Sequence, residues 1–222
     1  MSLIIRELYQ YPIIMFKHRS FIASFLVLTA SSLALADSSG PLGLDHRLNF
    51  DDAKIWSDSS LKTLEYGSAL LIVGGALYEG NDSRLGKTLW KSLDAMLLGD
   101  VTAAAAKNIF RRQRPIDGND PNAFFNSSSD NSFPSGEVTH ITAIITPFIL
   151  EYQKDTPGVW LLAALPAYVG IAKLKTQAHW QTDILAGAAL GAGVGYFASR
   201  RDTAWSAQVL PGGFSVGYNK IF

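Results

Sequence analysis

The stretch Phe133-Pro134-Ser135-Gly136-Glu137-Val138-Thr139-His140 is a polar turn that runs directly into an apolar segment, Ile141 to Leu150. Pro134 cannot extend a helix behind it, Ser135 is a residue type that caps helices, and Gly136 allows close approach to the backbone. A helix start of this kind presents free amide N–H groups and the positive end of a helix dipole, which suits a phosphate. By itself the stretch reads more readily as an ordinary cap. The sequence on either side has to decide.

On the N-terminal side lies Lys107-Asn108-Ile109-Phe110-Arg111-Arg112-Gln113-Arg114-Pro115, at the end of a long helical pattern. Positions seven apart return to nearly the same helix face, so Lys107 and Arg114 are expected to line up, with Arg111 close to the same stripe. Pro115 is expected to stop the helix and leave Arg114 at the mouth of the next loop. A solvated basic helix end favouring the C-terminal dipole is the simpler alternative. Against it, Ala103-Ala104-Ala105-Ala106 implies tight packing just before Lys107, and a cation in a packed wall needs an anion.

On the C-terminal side lies Lys173-Leu174-Lys175-Thr176-Gln177-Ala178-His179-Trp180-Gln181-Thr182-Asp183. A helix starting here would place His179 and Asp183 on one face. A carboxylate holding one imidazole nitrogen fixes the tautomer and leaves the other nitrogen free to attack or to move a proton. An Asp183 that merely complements the helix dipole, with His179 adjacent, explains the pair equally well.

Taken in order, the three clusters read K-x-x-x-x-x-x-R-P, P-S-G-E and A-K-x-x-x-x-x-H-x-x-x-D. Over about residues 107–187 this resembles the type-2 phosphatidic acid phosphatase superfamily, whose pattern is K-x-x-x-x-x-x-R-P, P-S-G-H and S-R-x-x-x-x-x-H-x-x-x-D. That superfamily contains bacterial acid phosphatases, membrane lipid phosphatases and vanadium haloperoxidases. The resemblance implies a helical fold and a metal-free phosphohistidine mechanism. His179 would be the nucleophile and Asp183 its orienter, while Lys107, Arg114 and Lys173 would clamp the phosphate with Ser135 and the Gly136 amide. No cofactor is implied, and vanadate enters only as a phosphate mimic or in the haloperoxidase alternative. That alternative is disfavoured by the short chain and by the missing acid–base histidine.

Two departures from the pattern bear on activity. Lys173 stands in place of an arginine, which keeps the charge and loses the bidentate fork. Glu137 stands in place of the histidine that protonates the leaving oxygen. Glu137 itself could be the acid, although nearby cations would deplete its protonated form. His140, one helical turn on, could supply the proton. With no acid present, only good leaving groups would turn over, since losing a general acid costs ~10²–10⁴-fold.

The rest of the chain supplies the setting. Across 222 residues the apolar share is 48% and the charged share 17%, with a mean hydropathy of +0.13. Net charge is zero, so no nucleic-acid partner is indicated. The absence of cysteine excludes disulfides, thiolate metal sites and a cysteine nucleophile. Lys17-His18-Arg19, an apolar run from Phe21 and the small-residue site ending at Ala36 read as a secretory signal over residues 1–36, with Met15 as an alternative start. A polar lead-in, 37–60, is expected to be loosely structured, with one helical turn around 53–57. A helical domain over 61–200 follows, with helices near 61–78 (capped by Asp58-Ser59-Ser60), 84–112, 136–153, 158–175 and 179–200, the third and fourth kinked at Pro147 and Pro166. Loop 116–133 is long enough to be functional or mobile. The small residues Ala186 to Gly193 imply close approach of another helix or a membrane interface. Alternation after Pro211-Gly212-Gly213 implies a strand or hairpin in the tail, 201–222.

The expected fold is therefore all-α, a bundle of about five to six helices with a short β-like tail. The apolar stretches run about 12–15 residues and fit buried core helices better than bilayer spans, although the window at 158–173 comes close to spanning length. The expected activity is that of an exported, periplasmic phosphatase acting on a phosphorylated small molecule or a lipid phosphate or diphosphate. A chain associated with the inner membrane, touching its surface with a periplasm-facing site, is the alternative. A non-catalytic phosphate-binding protein on the same fold is the reading from another functional class.

Overall fold

The computed structural model describes residues 39–127, 129–201, 205–210 and 213–218. The signal-peptide reading falls on residues outside these. The chain forms five α-helices among the described residues: α1 Asp58–Glu79, α2 Arg84–Phe110, α3 Gly136–Tyr152, α4 Ala164–Lys175 and α5 Gln181–Ser199. A 3₁₀ turn at Lys54–Trp56 matches the helical turn expected in the lead-in, and a 3₁₀ segment, Pro157–Ala163, leads into α4. In the tail, β1 Trp205–Leu210 pairs antiparallel with β2 Gly213–Tyr218, in a register that sets Trp205 opposite Tyr218.

Local chemistry accounts for most boundaries. Ser57, rather than the three residues after it, caps α1: its Oγ accepts the Ser60 N–H at 3.3 Å, and Asp58 pairs with Lys62 one turn on. Ser83 caps α2 through the Gly86 N–H at 2.9 Å. The end of α2 departs from expectation. Arg111 takes a left-handed conformation, φ 41°, and donates its N–H to the Lys107 carbonyl, so the helix closes four residues before Pro115. Pro166 sits in the first turn of α4, where its missing N–H costs nothing, so the sequence switches from 3₁₀ to α there instead of kinking. Pro147 lies inside an unbroken α3.

Helix α3 is the centre of the bundle. Residues 138–145 are all buried, and Val138, Ile141, Ile144, Ile145 and Ile149 carry much of the core with Leu89, Trp90 and Met96 of α2 and Val169 of α4. Each such aliphatic side chain contributes roughly 1.5–3 kcal/mol by leaving water. A helix apolar around most of its circumference has to be enclosed on most sides. Helix α2 covers one side and α5 another.

The α3–α5 contact explains the small-residue run. A Cβ on Gly187 would lie 2.6 Å from the Ser135 carbonyl oxygen, and one on Gly191 would lie 2.5 Å from that of Thr139. A Cβ on Gly195 would meet Thr146 at 2.5 Å. The stripe is therefore a seam into which the backbone of α3 settles, and it fixes where α3 begins. The partner anticipated for the small residues is this helix.

Not every apolar stretch is core. Helix α1 buries Leu61, Ile72 and Ala76, while Tyr66, Leu70, Leu71 and Tyr78 face outward. Trp160, Leu161 and Ile171 of the segment Pro157–Lys175 are exposed as well. By length and composition that segment is, among the described residues, the one stretch able to cross a membrane. The expectation that these stretches are buried core helices thus fails on one face of each. Neither α1 nor this segment is enclosed as α3 is.

Candidate active site

The N-terminus of α3 meets the end of α4, the segment before α5, the last turns of α2 and loop 111–135. This junction gathers the three sequence clusters. Although its described residues form no helix or strand, the loop is held by many bonds. Phe125 and Asn126 donate N–H groups to the carbonyls of Phe110 and Arg111, Gln113 donates to Ala123, and Ile116 to Gln177. Phe110, Phe124, Phe125 and Phe133 pack ring against ring beneath it.

His179 precedes α5 instead of lying on it, because Trp180 is the helix N-cap. The pairing with Asp183 nevertheless forms, through capping geometry. Asp183 turns back so that Oδ2 accepts the Trp180 N–H at 2.8 Å, and this places the same oxygen 3.5 Å from His179 Nδ1. Ser132 Oγ donates to Asp183 Oδ2 as well. Burial raises the Asp183 pKa, but His179, the Arg112 guanidinium and the Ser132 hydroxyl outweigh it and hold the carboxyl below its ordinary value. An ionised Asp183 at Nδ1 favours the proton on that nitrogen and leaves the Nε2 lone pair free. His179 is 1% exposed, and Nε2 has no hydrogen-bond partner; it looks toward Glu137 Oε2 at 3.5 Å.

Three cations come to the same junction. Lys173, buried at the end of α4, sets Nζ 2.7 Å from Glu137 Oε1 and 3.5 Å from Asp58 Oδ1. Lys107 and Arg114 do not share a helix face, since α2 has ended between them. They converge through Asn131, whose carbonyl accepts Lys107 Nζ at 2.7 Å and whose Oδ1 accepts Arg114 Nε and Nη2 at 3.0 and 2.8 Å. Burial pushes the Lys107 ammonium down to about 8, against the opposing pull of Glu137. Gly136, the first residue of α3, leaves room for this lysine, because a Cβ there would sit 3.3 Å from Lys107 Cε. Ser135 caps α3 by position only: its Oγ is buried and makes no hydrogen bond, a costly state that a phosphate oxygen would relieve.

The two other sequence candidates diverge. Burial raises the Glu137 pKa, yet His179 and Lys173 more than offset this and hold the carboxyl well below the usual carboxylate range. His140 turns to α2, where Nδ1 meets both carboxylate oxygens of Asp100 at 3.0 and 3.1 Å. Burial lowers its pKa and Asp100 raises it, with a net shift upward. One turn apart on α3, the two residues hold different partners. Among the described residues, no group of three His, Asp or Glu side chains is placed to hold a metal ion.

Residues 88–206 match the PAP2 superfamily, more than half of the chain and all three clusters. The chain belongs to the PAP2 superfamily. It is 34% identical over 130 residues to the lipid A 1-phosphatase of Porphyromonas gingivalis, an overlap of 57% of this chain and 26% of that protein. This PAP2 chain therefore spans well under two thirds of that relative's length. No solved structure matches it.

Three residues that brace this candidate site escaped the sequence reading. Arg112 is fully buried behind Asp183, donating Nη1 to Asp183 Oδ1 and Thr182 Oγ1, and Nη2 to Asp45 Oδ2 and the Pro121 carbonyl. Asp45, in the lead-in expected to be loose, also accepts the Thr182 N–H at 2.8 Å at the start of α5. Ser132 braces the same carboxylate. Arg112 carried a faint signal as a further cation in the stretch of Lys107, Arg111 and Arg114, where Arg111 was the one singled out. Asp45 carried none, because its partners lie 67 and 137 residues away.

Proposed function

We propose that this PAP2 chain is an exported phosphatase that hydrolyses phosphate esters of lipids through a phosphohistidine on His179. One observation carries the reading: a buried imidazole with Asp183 at Nδ1 and an Nε2 without a hydrogen-bond partner, at a junction that also holds Lys173, Lys107 and Arg114. Nε2 would attack phosphorus while Lys107, Arg114, Lys173 and Ser135 bear the charge on the equatorial oxygens. Preorganised donors in a site shielded from water supply the largest share of such catalysis. Water would then attack the phosphohistidine and release phosphate. The same donors would hold vanadate, which serves as a phosphate mimic.

A lipid substrate is favoured by the lipid A 1-phosphatase relative and by the apolar residues exposed on α1 and on Pro157–Lys175. Export rests on the basic, apolar and small-residue order of residues 17–36. N-terminal sequencing of the chain recovered from the periplasmic or membrane fraction tests it, with Asp37 expected first.

Brief exposure to a phosphate-labelled lipid, followed by alkaline quench, should trap label on the wild-type chain and none on His179→Ala. Label that survives this substitution, or that resists acid, sinks the phosphohistidine assignment. The ionised Glu137 favours a second reading, a phosphate-binding protein without turnover. Phosphate binding with no label on the wild type selects it.

A further inference from the structure

The carboxylate of Glu137 faces the nitrogen that would attack phosphorus. It bridges the nucleophile and one clamp, with Oε1 on Lys173 Nζ and Oε2 opposite His179 Nε2. Titratable and charged groups face it from the neighbouring elements: Lys173 from α4, the His179 imidazole from before α5, Lys107 from α2, and Glu65 from α1, which adds repulsion. Arg114 lies further along the same ring, beside Lys107, and Asp58 is the second partner of Lys173. The cradle therefore contains a negative charge of its own, on a side chain that is only partly exposed.

We infer that Glu137 makes this site select the singly charged, protonated form of a phosphate monoester over the dianion, and that the substrate's own proton replaces the missing general acid. The inference rests on the phosphatase reading above and names the charge state that the site takes. A dianion would meet the Glu137 carboxylate with nothing between them. A monoanion offers its P–OH to that carboxylate as a hydrogen-bond donor, an interaction that aligns the ester.

The chemistry balances. The ester P–O bond breaks as the Nε2–P bond forms, and the proton on the phosphoryl oxygen passes to the departing oxygen, which leaves as the neutral alcohol. The imidazolium now carries a dianionic phosphoryl group. Water attacks phosphorus, the N–P electron pair returns to Nε2, and phosphate leaves as its monoanion. At no point does Glu137 have to be protonated.

Two measurements test this. The first is the affinity of inorganic phosphate at about pH 5 and pH 8, for the wild type and for Glu137→Gln, which keeps the shape and removes the charge. Inorganic phosphate loses its second proton at about pH 7, roughly a unit above a phosphate ester, so wild-type binding should weaken by about five- to tenfold between the two conditions, and Glu137→Gln should recover most of that loss at pH 8. Binding by Glu137→Gln at pH 8 that is equal to or weaker than wild type overturns the inference. No binding by either protein at either pH overturns the cradle itself, and with it the phosphatase reading. The second measurement guards against a titrating protein group such as Lys107. Inhibition by methylphosphonate and by the more acidic trifluoromethylphosphonate should break at different pH values in the wild type, each following its ligand. A break at one common pH for both ligands, with none that follows the ligand, also overturns the inference.

Discussion

Arg112→Met is the sharpest perturbation of the scaffold behind His179. The guanidinium is 0% exposed and lies between two carboxylates, Asp45 and Asp183, that are themselves fully buried. It also bonds Thr182 Oγ1 at 2.7 Å and the Pro121 carbonyl, and it stacks 4.6 Å from the centre of the Phe124 ring. Methionine fills much of the volume and supplies none of the charge. Breaking a buried pair by deleting one partner costs about 3–5 kcal/mol, since the remaining charge is left uncompensated. Here two carboxylates are stranded, so the loss should reach at least the top of that range, out of a total stability of about 5–15 kcal/mol. Urea unfolding of the whole chain, followed by circular dichroism, measures it. Adding Asp45→Asn should return part of the loss by removing one stranded charge. A cost below about 1 kcal/mol for Arg112→Met, or strict additivity in the double variant, would refute the claim that this arginine ties the lead-in to the start of α5.

Further expectations concern the site and its frame. Asp183→Asn should lower turnover by at least about a hundredfold while phosphate affinity changes little, because the carboxylate orients His179 and does not touch the anion; an equal loss in both would contradict this. Phosphate binding should weaken as pH rises through about 8, where Lys107 loses its proton, and Lys107→Arg should move that decline upward by more than a unit. The depressed pKa values of Asp183 and Glu137 contribute stability that is fully present above the ordinary carboxylate range and lost as pH falls through their folded values. An acid titration of the melting temperature should therefore fall less steeply in Asp183→Asn. Gly191→Val should cost roughly 1–3 kcal/mol by overpacking the α3–α5 seam, and it should also weaken phosphate binding, since the seam sets the position of Ser135 and Gly136. Normal binding in a destabilised Gly191→Val would separate the two roles.

The sequence by itself determined the helices and the hairpin, and it named part of the candidate site. Helix periodicity, capping serines and the glycine stripe are local or nearly local signals, and they placed α1, α2, α3 and α5 within a few residues of where they lie. The spacing of Lys107, Arg114, Ser135, Lys173, His179 and Asp183 pointed to a phosphate site without any coordinates. Tertiary structure decided how these residues meet. Lys107 and Arg114 share Asn131 instead of a helix face, because a left-handed Arg111 ends α2 first. His179 and Asp183 pair through an N-cap instead of a helix stripe. Glu137 goes to Lys173 and His179, and His140 goes to Asp100, a choice set by which helices flank α3 on each side. Above all, Asp45 is brought from the lead-in to Arg112 and Thr182. A contact across so many residues leaves no periodic trace in the chain. It exists only because the fold buries an arginine that must be neutralised.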